Sequence, residues 1–163
     1  MKKILAIILI VMCLVSSASA ERWTTLSIKY NSAAAVLGAD QLNGEDVIVV
    51  SVLEQDDTYA FDFGSYAILF IFKGDDIQSI SIRGKDDAAA GEFLSACMAV
   101  ITTFGGIDMT AYGVLLYQFA KVRAGKEAPD AYAFGLDVFQ VNEESGQFKY
   151  SFTYLNRDLS FAK

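Results

Sequence analysis

The chain has 163 residues, 53 % of them apolar, and carries 20 acids against 13 bases for a net charge of −7 at neutral pH. So much apolar and aromatic material excludes a disordered chain, and the acidic balance disfavours nucleic acid and anionic membrane surfaces, which would repel it. Histidine is absent, which removes Ser-His and Cys-His nucleophiles, histidine-bearing zinc sites and imidazole acid–base work near neutral pH.

The chain opens Met1-Lys2-Lys3, continues apolar from Ile4 to Val15, and reaches small residues at Ser16 to Ala20 before its first acid, Glu21. That order is the signature of a secretory signal peptide over residues 1–20. Ala18 and Ala20 are the small residues that the peptidase requires, so cleavage is expected between Ala20 and Glu21. An apolar run of about a dozen residues is too short to span a bilayer, which takes about 20. A secreted or periplasmic protein is therefore expected, with no stable membrane insertion once the leader is gone. Cleavage takes the bases from 13 to 11 against 20 acids, and the net charge from −7 to −9. Residues 21–163 suffice for a single domain that buries its core without staples. Only one cysteine, Cys97, remains in that part, so no internal disulfide can form.

Apolar or small residues Trp23, Leu26, Tyr30, Ala33, Ala34 and Leu37 recur at helical spacing and predict a helix closed by Gly38. Four strands follow over Val47–Leu53, Thr58–Phe63, Tyr66–Lys73 and Ile77–Arg83. The short breaks between them are rich in glycine and aspartate, as antiparallel hairpins require. The third strand is apolar on both faces, as in a central strand. Asp86 and Asp87 can open a helix whose inward stripe is Ala90, Phe93, Cys97, Val100, Ile101 and Phe104, ended by Gly105-Gly106. Asp108 or Thr110 can cap a second, with Tyr112, Leu115, Leu116, Phe119 and Val122 inward. Two last strands are predicted. One covers Tyr132–Val141 with Tyr132, Phe134, Leu136 and Val138 inward. The other covers Gln147–Leu155 with Phe148, Tyr150, Phe152 and Tyr154 inward. The order α-β-β-β-β-α-α-β-β argues for an α+β domain, a mainly antiparallel sheet of about six strands with helices packed on one face.

Little in the sequence carries chemistry. Cys97 sits on an apolar helical stripe with no histidine to activate it, so it reads as a core thiol. The acidic doublets Asp56-Asp57, Asp75-Asp76, Asp86-Asp87 and Glu143-Glu144 lack the alternating ligands and glycine of a calcium loop, and they read as turn and cap residues. No metal and no cofactor is expected. Gly105-Gly106 follows no strand and precedes no lysine at phosphate-loop spacing. Asp62 and Asp137 each interrupt an apolar strand, and two such carboxylates about 5–10 Å apart could serve a glycosidase. As a catalytic pair they stay speculative, since a wet-face aspartate is the ordinary reading. The tyrosines of the last strands pack a core or line a groove. The leading expectation is a non-enzymatic interaction module for a protein or small ligand, working through a sheet face or hairpin edge. A carboxylate-dependent hydrolase and a carrier of a small apolar ligand between helices and sheet are the alternatives. Oligomeric state is not legible.

Overall fold

A computed structural model describes residues 24–43, 48–51, 56–73, 76–126, 131–134, 137–144 and 146–156. The expected leader, residues 1–20, and the expected cleavage position at Ala18, Ala20 and Glu21 lie outside the described residues. The described part is an α+β fold, an antiparallel sheet with three helices. The first helix, α1, covers residues 24–37. The strands β1 (Ile48–Ser51), β2 (Asp56–Asp62), β3 (Tyr66–Lys73) and β4 (Asp76–Gly84) form a meander. Helices α2 (Ala90–Gly105) and α3 (Met109–Arg123) follow, then β5 (Tyr132–Phe134), β6 (Asp137–Glu143) and β7 (Tyr150–Asn156). The sheet order is β1-β2-β3-β4-β7-β6-β5, so the helix pair joins two meanders that meet where β4 pairs with β7.

The described sheet has seven strands, in keeping with the expected mainly antiparallel sheet of about six. The segment expected as one strand, Tyr132–Val141, reverses between Phe134 and Asp137, and Tyr132 pairs with Phe139. A reversal over two residues swaps the parity of the inward positions. Among the described side chains of β6 the buried ones are Phe139 and Val141; of the expected inward series, Phe134, Leu136 and Val138 lie outside the described side chains. The signal was Gly135, which in a strand pattern marks a break or bend.

One face of the sheet makes the core. Phe61, Ile68, Phe70, Ile80, Ile82, Val141, Phe152 and Tyr154 are buried on it, in cross-strand register through Phe61↔Ile68, Phe70↔Ile80, Ile82↔Phe152 and Val141↔Phe152. All three helices cover this face. Tyr30 of α1 meets Phe70 edge-on, Phe93 of α2 lies against Tyr150, and Phe119 of α3 packs on the same Tyr150 ring. The other face of β3, with Ala67, Leu69 and Ile71, is half-buried.

Close approach of α2 to the sheet depends on Gly84. A Cβ there would stand 2.9 Å from Cδ2 and 3.0 Å from Cγ of Phe93. The stripe of α2 holds Ala90, Phe93, Cys97, Val100 and Ile101 buried as expected, whereas Phe104 is partly exposed against Tyr154. On α3 the buried residues are Ala111, Tyr112, Leu115, Gln118, Phe119 and Val122. Leu116, expected inward, is exposed because it lies a further 100° or so round the helix from Leu115. Asp108 caps α3 by accepting from the amides of Thr110 and Ala111.

Candidate functional site

Two fastenings position α1. Asn31 brackets the backbone of Leu42: its Nδ2 donates to the Leu42 carbonyl at 2.9 Å, and the Leu42 amide donates to its Oδ1 at 2.7 Å. The chain after Gly38, which has φ 70°, is thereby turned back along the helix. Tyr66, at the start of β3, donates its hydroxyl to Asp40 at 2.9 Å. Burial pushes the Tyr66 and Tyr30 hydroxyls well above their ordinary pKa, so both stay protonated and neutral across the physiological range.

Held this way, α1 stands beside the junction of α2 and α3 and leaves a groove of about 470 Å³. One wall is a helical face, with Ile28, Ser32 and Val36 at successive i+4 steps beside Lys29, Ala33 and Leu37. The other is Thr102, Thr103, Ile107 and Tyr112. Ile28, Val36 and Ile107 are 61 %, 79 % and 75 % exposed, so the lips of the groove are apolar as well as its floor. The eight helical rises from Ile28 to Val36 make the α1 wall about 12 Å long.

The groove's hydroxyls are occupied. Ser32 donates to the Ile28 carbonyl, Thr102 to Met98 and Thr103 to Ala99, each four residues back in its own helix. The Tyr112 and Thr102 hydroxyls are bonded to one another. A hydroxyl has one proton to give, and that of Thr102 lies on Met98, so Tyr112 is the donor in this pair. Among the described residues Lys29 is the one charged residue of the lining.

A second polar cluster fastens elements together. Asp87 accepts from Lys149 Nζ at 2.6 Å and from the Tyr150 hydroxyl, and stands 3.3 Å from Arg123 Nε. These partners, Lys149 foremost and then Tyr150, hold its carboxyl below the usual carboxylate range. A hollow at the start of α2, lined by Gly64, Ser65, Lys85, Asp86, Ala88, Ala89 and Glu92, is polar. The amides that could draw an anion there, those of Ala88 and Ala89, already donate to Asp86.

Asp62 and Asp137 are not brought together. Asp62 ends β2, is exposed, and accepts from the Gly64 amide in a tight turn. Asp137 opens β6, opposite Phe134 and Asn156. Through Ala67, Arg83 and Ser151 the position of Asp62 lines up with Asn142 on β6. The two backbones are therefore separated by four strand spacings, about 19 Å, and by five residues along the strand, about 17 Å. A carboxylate pair that cleaves glycosides needs about 5–10 Å. Among the described residues no group of three or more Cys, Asp or Glu could hold a metal ion, and no helix is long and apolar enough to cross a membrane. Of the doublets, Asp56 and Asp57 belong to β2 rather than to a turn, and Glu144 pairs with Arg83 at 3.5 Å.

Sequence reading passed over the groove, although its signal was there. Ile28 and Val36 are apolar residues off the inward stripe of α1, on the side that the helical period assigns to water. No protein-family model, no curated protein and no solved structure matches the chain.

Proposed function

We propose that the mature chain is a secreted or periplasmic, non-enzymatic binding module whose ligand site is the apolar groove between α1 and the α2–α3 junction. One observation carries this reading: Ile28, Val36 and Ile107, from two separate parts of the chain, expose their side chains around a single concavity. Apolar surface of this kind costs free energy in water, about 25 cal/mol for each Å² left uncovered. An exposed apolar patch with a concave centre is the usual mark of a binding surface. A volume of about 470 Å³ falls in the roughly 300–1,000 Å³ range of small-molecule sites. The groove, open and between helices, takes the place of the sheet face or hairpin edge that the sequence pointed to.

Binding of the neutral fluorescent probe N-phenyl-1-naphthylamine tests this directly. The folded protein should enhance its emission saturably. The double variant Val36→Asp, Ile107→Asp should abolish the enhancement while keeping its circular dichroism and melting temperature, because both side chains are exposed. Equal enhancement by the variant would overturn the reading.

A further inference from the structure

We infer that the ligand of this groove is a monoanionic amphiphile, a free alkyl carboxylate whose chain lies along α1 and whose head group pairs with Lys29; this rests on the binding reading above. The argument is one of donors. Ser32, Thr102, Thr103 and Tyr112 all face the groove, and each has given its one hydroxyl proton to a partner inside the protein. A ligand with carbonyl acceptors along its length would have to bury them against side chains with no proton left to offer. The methyls of the two threonines, with Val36, Leu37, Ile107 and the Tyr112 ring, accept hydrocarbon without that penalty. What remains is the Lys29 ammonium, exposed and on a flexible stem that can lie along the apolar wall while its charge stays at the lip.

The charge balance limits the head group to a single negative charge. The described lining offers one cation, Lys29, which pairs one carboxylate and leaves further negative charge on a head group without a partner. At physiological ionic strength, charges farther than about 8 Å are largely screened. Among the described residues no acid lines the groove. A cationic amphiphile would place its head against Lys29 and be rejected there. The α1 wall of the groove, about 12 Å long, matches an alkyl chain of medium length.

The test is calorimetric titration of the full mature chain with decanoate, decanol and decyltrimethylammonium, each below its micellar concentration. Decanoate should bind most tightly and decyltrimethylammonium least. Lys29→Met should weaken decanoate about three- to fivefold, the discrimination that a partly exposed ion pair supplies, and leave decanol unchanged, while Lys29→Arg should retain the preference. Equal affinity for decanoate and decanol, insensitive to Lys29→Met, would overturn the inference and leave the binding groove standing. Tightest binding of decyltrimethylammonium would also overturn it. If none of the three binds and the neutral naphthylamine probe also fails, the groove reading falls with it.

Discussion

Cys97 shows how much the surroundings of one side chain decide. It is the only cysteine among the described residues and is fully buried between Phe93 and Ile101 on the inner stripe of α2. Burial without a nearby cation disfavours the thiolate and pushes the pKa well above its ordinary value, so the nucleophilic form is scarce at neutral pH. A maleimide reagent should therefore leave Cys97 unmodified in the native protein and label it fully once denaturant is added. Rapid native labelling, read by mass spectrometry, would show that α2 opens or packs otherwise. The same logic separates Lys29 from the other groove residues. It alone has a charge at the surface that a ligand can reach without dehydrating anything buried.

At the scale of elements, the helix–sheet contact at Gly84 is the most demanding one. Gly84 is buried in β4 with the Phe93 ring directly above it, and a ring anchored to a helix backbone cannot retreat as a flexible side chain would. Gly84→Ala should cost about 1–3 kcal/mol through overpacking, which for a domain of this size lowers the melting temperature by several degrees. Alanine at the exposed Gly91 of α2, where a Cβ meets nothing within 4 Å, should be neutral or stabilising, since it raises helix propensity by up to about 1 kcal/mol. Scanning calorimetry of the two variants checks both signs. An undisturbed Gly84→Ala protein would mean that α2 sits farther from the sheet.

Across the whole molecule, Asp87 ties the start of α2 to the end of α3 through Arg123 and to β7 through Lys149 and Tyr150. Its carboxyl is held below the usual range chiefly by the hydrogen bond from Lys149. The unfolded chain therefore binds the proton more readily than the folded one. The stability Asp87 contributes is present above the ordinary carboxylate pKa and is lost as pH falls through the lowered folded value. Asp87→Asn should be less stable than the native chain at pH 7, and the gap should close as the pH is taken down through and below the carboxylate range. Urea denaturation across that range measures it. A gap that stays constant would mean that Asn keeps the same contacts and that the charge contributes nothing.

Much of this protein was written locally. Helix and strand periods depend on neighbours within a turn or two, so α1, α2, α3 and most strands could be placed from residues such as Phe93, Cys97 and Val100, or from the alternation Tyr150, Phe152, Tyr154. Helix ends were marked by Asp108 and Gly106 for the same reason. The absence of histidine, and the chemistry that this removes, is also a property of sequence alone. What sequence could not decide is whatever depends on contacts between distant parts of the chain. The pairing of β4 with β7 sets four strand spacings between β2 and β6, and so keeps Asp62 and Asp137 apart. The reversal that makes β5 and β6 two strands shifts burial to Phe139 and Val141. The groove forms where packing of Tyr30 on Phe70, with the Tyr66–Asp40 bond, holds α1 so that Ile28 and Val36 face Ile107. Apolar residues on the wet side of one helix mean little alone, and tertiary packing turned them into a concave site by setting a second apolar wall opposite them.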